Sequence, residues 1–590
     1  MKKIANKKIV LLIVTILLLS ARMLYLYSIR CSHFIDEFYS IGFANSKDLP
    51  FFIYPEIGVD GREYDKHVRE WSSGKEIFDF ITVSEDERFD FKNVINNKLQ
   101  DTAPANFEIM VHFVCSLFPN TFSWAYPFSV NFVFFLGSLI LVFCISYKTL
   151  KDCSFSFINA FVCMLFFSLS IAGTGAFTFL RMYGVLSFYG LLMIFCMQNL
   201  LQDLSIKSKI LYGFFLYISV FLGLFTQPLF VVFAFFLTLY VCLYVLGTKK
   251  IIKSIKIGGI VLLSLISFVL VYPFDYRRIG LWMGRENHNG YSFWTRLIYG
   301  NMHMFGESLG FYIPFTYANI LTWCGYIFLV VFIILCFGFL FRNEKWFIKI
   351  RTKLSKIFRD IFCVIKKTIS NISPINYVML LTSISYMLVV TAITPVATQH
   401  YVARYFMLGM FPLIISFVSC FNSLWNMVPA GKRLFARTSV FVFLAILLYV
   451  QNFVFGNPFY FNKPYDDEEI LHRLTQNEDV MIFGSEEICL YSLMVPLRDV
   501  NSFYFGLYTD DLTEISEYPD NDFYIAVRSD CFEDESSRAT LIDGLLIPGN
   551  TEEFAGEVLL NMKKNYSLTR VEDFYSSYGD YAIYYVSLVN

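Results

Sequence analysis

Charge is scarce in this chain: only 16% of its 590 residues are Asp, Glu, Lys or Arg, against about 25% in soluble domains. That shortage excludes an ordinary water-soluble protein. Metal-site signatures are also missing. None of the 13 cysteines forms a Cys-x-x-Cys pair, and no His, Cys, Asp and Glu cluster shows ligand spacing. Most cysteines sit inside apolar runs and read as packing residues. Cys489 and Cys531 lie in the polar tail and are the pair that could bridge. There is no phosphate-cradling glycine loop, no dinucleotide fingerprint and no nucleophile triad. A net charge of −1 without a basic, aromatic-laced stripe excludes a nucleic-acid partner. No internal repeat or low-complexity segment stands out.

Apolar and aromatic residues are abundant. Hydrophobic residues make up 56% of the chain and aromatics 19%, with a mean hydropathy of +0.52. Apolar runs of about 20 residues recur, the length that crosses a bilayer. About 11 spans are expected, near 9–29, 123–147, 155–173, 182–200, 209–226, 228–246, 256–273, 318–341, 376–396, 405–424 and 438–455. The first begins on basic residues, like a signal peptide. It is too long for one and lacks a small-residue cleavage site, so it reads as a retained helix.

Charge placement gives the orientation. Basic links at 148–151, 207–209, 249–256, 342–367 and 432–437 all fall on the side of the N-terminus. The 342–367 link alone carries 9 Lys/Arg against 2 acids. Its apolar spacing suits an amphipathic helix on anionic lipid. The other side collects acid: 15 Asp/Glu against 9 Lys/Arg over 30–101, and 26 against 8 after residue 455. The positive-inside rule then puts the N-terminus in the cytosol of a cell-membrane protein, and the first loop and the C-terminal tail outside.

Two outer parts follow: a long loop over 30–122, within a membrane domain of 1–455, and a tail over 456–590. The stretch 108–118 has helical apolar spacing but is too short to span, so it suits an interfacial helix. In the tail, 479–484, 522–527 and 579–586 read as buried strands and 552–565 as a helix, a small α/β domain. Nothing in the tail looks catalytic. The fold class is thus an α-helical polytopic membrane protein with a long first outer loop and a small outer α/β domain.

The polar candidates are few. His33-Phe34-Ile35-Asp36-Glu37-Phe38-Tyr39 puts two acids at the exit of the first span, where they are costly unless solvated or used. Adjacent helical residues point about 100° apart, so the two acids should do different jobs. One can take a proton from a hydroxyl while the other orients it or holds a divalent metal ion. A solvated helix cap is the plain alternative. Arg181-Met182-Tyr183 and Arg404-Tyr405 each place an arginine at an outer helix start, against the positive end of the dipole. An anion such as phosphate would relieve that; so would loop acids. The outer loop 274–311, with Arg277, Arg278, Arg285, Glu286, His288 and Tyr291, could cover a headgroup or be solvated. His288 and His400 are ligands only in principle.

Several segments together resemble the GT-C superfamily of polytopic glycosyltransferases, bacterial family 39-like members above all, relatives of protein O-mannosyltransferases and the lipid A aminoarabinose transferase. His33 to Ser46 is similar to that family's first-loop acidic motif. Arg88-Phe-Asp-Phe-Lys-Asn-Val with Asp101 and Pro104 resembles the end of its first loop. Leu180-Arg-Met-Tyr-Gly184 resembles "ARMYA", and Ala403-Arg-Tyr to Pro412 the "RY…P" motif. The resemblance covers residues 1–455. It implies inverting transfer of a sugar from a polyprenyl-phosphate-linked donor to a cell-envelope acceptor on the outer face. Asp36 would be the general base and Glu37 its neighbour at the acceptor. Arg181 and Arg404, with Tyr183 and Tyr405, would meet the donor phosphate. Asp101, Pro104 and Glu108 would lie near the acceptor or sugar. Family members may use a divalent ion near the first-loop acids. The chain departs from "HPPLYY" at Ala103-Pro104-Ala105-Asn106-Phe107-Glu108, and from the acid before "ARMYA" at Phe179. A non-catalytic glycan- or lipid-binding member is therefore an alternative. So is a lipid-linked sugar transporter, although the spans hold few of the buried charges a transporter needs.

Overall fold

A computed structural model describes residues 2–30, 33–53, 64, 66–101, 103–150, 156–272, 359, 373–393, 405–425, 468–484, 490–491, 493–507, 519, 521–528, 566–576 and 579–588. The expected spans at 318–341 and 438–455 lie outside these residues. So do the 342–367 surface helix apart from Arg359, the 274–311 loop, the 552–565 helix, Cys489, Cys531, His400 and Arg404.

The long helices fall where apolar length dictates. They are α1 (Lys2–Ser28), α6 (Ala125–Thr149), α9 (Tyr183–Leu200), α10 (Ile206–Thr226), α11 (Phe230–Gly247), α12 (Ile251–Val271) and α13 (Pro374–Ile393). Each of these seven contains a stretch long and apolar enough to cross a membrane. The protein is a multi-pass membrane protein. A further helix, α14 (Met407–Trp425), packs on α13 and carries Pro412 in its interior.

The expected continuous span at 155–173 is corrected to two helices, α7 (Ser156–Leu169) and α8 (Ile171–Thr178), bent by 57°. The break is chemical. The Ser170 hydroxyl caps α8 by accepting the Gly173 N–H at 3.0 Å, a strong start signal. A Cβ on Gly173 would lie 1.7 Å from the Phe167 carbonyl, so only glycine fits. The Ser168 carbonyl exposed by the bend accepts from Arg22 of α1 at 3.2 Å. That half-buried arginine also donates to the Thr174 hydroxyl at 3.3 Å, tying α1 to both sides of the break.

The long segment after α1 folds into α2 (Ile35–Asn45), β1 (Trp71–Ser73), α3 (Gly74–Ile81), α4 (Phe91–Lys98) and α5 (Asn106–Cys115). Helix α5 is the expected amphipathic piece: Phe107, Glu108, Val111, His112 and Cys115 are buried while Phe113 is exposed. A Cβ on Gly42 of α2 would meet the Phe80 ring at 2.0 Å, so α3 packs directly onto α2.

The C-terminal part gives α15 (Glu468–Thr475), β2 (Asp479–Gly484), α16 (Met494–Leu497), β3 (Ser502–Leu507), β4 (Phe523–Arg528), β5 (Tyr566–Ser576) and β6 (Gly579–Leu588). The sheet order is β1-β3-β2-β4-β6-β5. Strand β2 pairs parallel with β3 and β4, and the other pairings are antiparallel. The three expected strands are present; β3 and β5 were not foreseen. Strand β1 comes from the segment between α1 and α6 and aligns Trp71 with Tyr504, so the sheet is built by two distant parts of the chain. Alternation sorts its faces. Val480, Ile482, Phe503, Phe505 and Ile583 join the main core, while Met481, Phe483, Tyr504, Ile525 and Val527 form a second cluster.

Candidate active site

Helix α2 carries both acids and is tied down at each end. Its N-cap, Phe34, offers no side-chain oxygen, so Glu37 supplies the cap itself by accepting the Phe34 N–H at 2.8 Å. An acid in a first turn also faces the favourable end of the helix dipole. The carbonyls at its other end are satisfied across the fold. Asn93 and Asn97 donate to the Ser46 carbonyl at 2.7 and 2.8 Å, and His112 Nδ1 lies 2.7 Å from the Ala44 carbonyl.

The two acids have separate surroundings. Glu37 is fully buried. Besides the Phe34 N–H it accepts the Leu180 N–H at 2.6 Å and pairs with the buried Arg30 guanidinium. Arg30 also donates to the Thr178 carbonyl at 2.6 Å. Glu37 therefore joins α1, α2 and the turn between α8 and α9. Asp36 is half-buried and neighbours Arg181, whose Nη1 donates to the Asp36 backbone carbonyl and the Ser40 hydroxyl, both at 2.9 Å.

From Ser40 the contacts run on. Its hydroxyl donates to Glu108 Oε1 at 3.0 Å. Lys98 Nζ stands 3.2 Å from the same oxygen, pairs with Asp101, and sits 4.5 Å from the Phe43 ring centre. Lys98 and Glu108 are both wholly buried. Burial alone would lower the basicity of Arg181. Asp36, Tyr183, Asp101 and Glu108 outweigh it and hold the guanidinium above its ordinary range. Arg181 Nε and Glu108 Oε2 are buried without a hydrogen-bond partner among the described residues. Buried polar atoms left so are costly, and both lie within a charged network.

Of the residues expected from sequence, Asp36, Arg181, Tyr183, Asp101 and Glu108 share this electrostatic cluster. Pro104 is buried just before α5, which presents Glu108. Tyr405 stands edge-on to Tyr183 at 6.0 Å, and its carbonyl accepts from the Tyr386 hydroxyl at 2.6 Å. Arg404 lies outside the described residues. Phe179, where an acid was expected, leaves its carbonyl to Asn131 at 2.7 Å.

Sequence reasoning missed Ser40, Lys98 and Arg30. The usable signal for Ser40 was its spacing one helical turn after Asp36. For Lys98 it was the i,i+3 relation to Asp101. A divalent ion does not fit the donors seen here. No three His, Cys, Asp or Glu side chains gather among the described residues, and ammonium and guanidinium groups already face the carboxylates.

No protein-family model matches the chain, and no curated protein does. Among solved structures the chain is similar to ArnT from Cupriavidus metallidurans bound to undecaprenyl phosphate, at 10% identity and a TM-score of 0.46 over 98% of each chain. It is also similar to the same protein in the apo state, at 10% identity and a TM-score of 0.33 over 98% of each chain. Likenesses this distant bear on neither substrate nor residue roles.

Proposed function

We propose that the chain is an inverting glycosyltransferase of the outer membrane face, moving a sugar from a polyprenyl-phosphate donor onto a cell-envelope acceptor. The observation that carries this reading is the meeting of Asp36 and Arg181 in one network backed by Ser40, Glu108, Lys98 and Asp101. The motifs that resemble GT-C enzymes supply the reaction class. The charge asymmetry supports a cytosolic N-terminus and an outer site.

In this mechanism Asp36 takes the proton from an acceptor hydroxyl as the oxygen attacks the anomeric carbon. The carbon–oxygen bond to phosphate breaks with inversion, and polyprenyl phosphate leaves as the anion. Arg181, with Tyr183 and Tyr405 beside it, meets the developing negative charge, and Arg404 is the further candidate for it. Glu37 does not touch substrate; it fixes α2 through Arg30, Phe34 and Leu180. Glu108, held by Lys98 and Ser40, keeps Oε2 available for a sugar or acceptor hydroxyl.

The test is Asp36→Asn in purified protein supplied with polyprenyl-phosphate sugars and envelope acceptors. Loss of transfer by about a hundredfold or more with an unchanged melting temperature is expected. Full activity would remove Asp36 from the reaction. One observation favours a binding protein without turnover. Phe107, at a position where the resembling family has tyrosine, is wholly buried in the apolar core and has no hydroxyl to offer the acids. Donor binding with no turnover over an acceptor panel would favour that reading.

A further inference from the structure

We infer that Tyr491, in the C-terminal part of the chain, is a positioning residue for α2 and so for Asp36. Its side chain is buried. The hydroxyl accepts the N–H groups of Phe52 and Ile53, each at 3.1 Å, and donates to the Ile53 carbonyl at 2.7 Å. One phenol thus uses both its acceptor capacity and its donor on two consecutive residues of the first outer loop. Its ring meets Tyr39 edge-on at 4.8 Å and Phe38 at 6.4 Å. Those residues directly follow Asp36 and Glu37 on α2. Phe38 in turn stands edge-on to Trp124 at 5.0 Å, at the head of α6, and Trp124 stacks on His33 at 3.7 Å.

Three further contacts fix this part of the chain against the loop. Strand β1 pairs with β3, the Arg69 N–H donates to the Phe505 carbonyl at 2.8 Å, and a Cβ on Gly74 would lie 2.4 Å from the Val500 carbonyl. The sheet face carrying Val480, Ile482, Phe503 and Phe505 is continuous with the core that includes Phe38 and Ile41. Helix α2 is hydrogen-bonded at its two ends by Leu180 and by Asn93 with Asn97. Along its length, among the described residues, Tyr491 is the C-terminal side chain whose ring lies against Phe38 and Tyr39 of α2 and through which the C-terminal part sets the orientation of that helix. The consequence for catalysis rests on Asp36 being the base; the coupling itself does not.

The experiment compares full-length wild type, Tyr491→Phe, which keeps the ring and removes the hydroxyl, and Tyr585→Phe. Tyr585→Phe removes a sheet hydrogen bond to Asp522 far from α2. Hydrogen exchange is read over 35–53 and over the strands, together with carbodiimide labelling of Asp36. Tyr491→Phe is expected to speed exchange of the Phe52 and Ile53 amides about tenfold. It should also raise α2 exchange and alter the Asp36 labelling rate, with the strands unchanged; Tyr585→Phe should leave 35–53 and Asp36 as in wild type. Unchanged α2 exchange and Asp36 labelling in Tyr491→Phe would overturn the inference, as would exchange rising equally in the strands. If Tyr491→Phe does not fold, Tyr39→Leu removes the ring contact from the α2 side and must give the same α2 and Asp36 response. Should α2 and Asp36 respond while sugar transfer does not, the coupling stands and Asp36 as base falls.

Discussion

Asp36 and Glu37 are neighbours in sequence and opposites in surroundings. Glu37 is saturated: two backbone N–H groups and the Arg30 guanidinium occupy its oxygens. The side reached through Asp36 and Arg181 is half-satisfied, with Arg181 Nε and Glu108 Oε2 buried and lacking partners among the described residues. A saturated buried carboxylate builds structure. The other network sets Asp36, Asp101 and Glu108 against Lys98 and Arg181, and its open atoms are where the proposed reading places a ligand. The sharpest way to break this contrast is Glu37→Ala. It strands the Arg30 charge, and breaking a buried pair costs about 3–5 kcal/mol. Chemical unfolding in detergent should show that loss, whereas Asp36→Asn should shift stability by less than about 1 kcal/mol. Equal losses would abolish the distinction.

Lys98→Met attacks the other side. It leaves Asp101 and Glu108 facing Arg181 without their ammonium partner, and a loss of about 3 kcal/mol is expected. Adding Glu108→Gln should recover part of it, because the uncompensated charge is then gone. A double-mutant cycle measures that coupling, and strict additivity would mean that the two groups do not interact.

Much of this molecule is legible from sequence because membrane solvent imposes one simple rule, apolar length. The spans from 182 to 271 follow from it directly. The rule is blind to the break after Leu169: Ser170-Ile171-Ala172-Gly173 continues an apolar run, and only the Phe167 carbonyl pressing on Gly173 shows why the chain turns. It is also blind to β1, since no local pattern tells Trp71 to pair with Tyr504 more than 400 residues away. The acids and Arg181 stood out because charge at a span exit is costly. Lys98 did not, because a lysine in a loop with 9 Lys/Arg over 30–101 looks solvated until the fold buries it. The enclosure of Glu37 was not legible, because spacing carries no information about which backbone N–H groups will converge on a side chain.

Acid pH sharpens the comparison only after one further group is accounted for. His67 stacks on Phe52 at 3.9 Å and contacts the Ser72 hydroxyl at 2.9 Å. Burial, partly offset by Glu76, pushes its pKa down from 6.5 to about 4. The unfolded chain therefore binds more protons than the folded one between those values. The stability His67 contributes is complete above pH 6.5 and is lost as pH falls toward 4, by up to about 3 kcal/mol. Melting temperatures should fall over this window in wild type and not, for this reason, in His67→Phe, which keeps the stack. A wild type whose stability is flat over that window would show that His67 is not the sensor.

The smallest effect should come from Ser40→Ala, and it bears most directly on what the unsaturated side is for. The hydroxyl joins Arg181 to Glu108 with one accepted and one donated hydrogen bond. Its loss should cost about 1 kcal/mol of stability, less than either charge deletion, because both charges keep other partners. The expected loss of transfer is larger than that cost, since Arg181 and Glu108 would no longer be held in fixed relation. Ser40→Thr, which restores a hydroxyl, should recover part of the activity. If Ser40→Ala instead lowers stability and transfer by equal free energies, the network is packing, and the contrast between the two acids is one of burial alone.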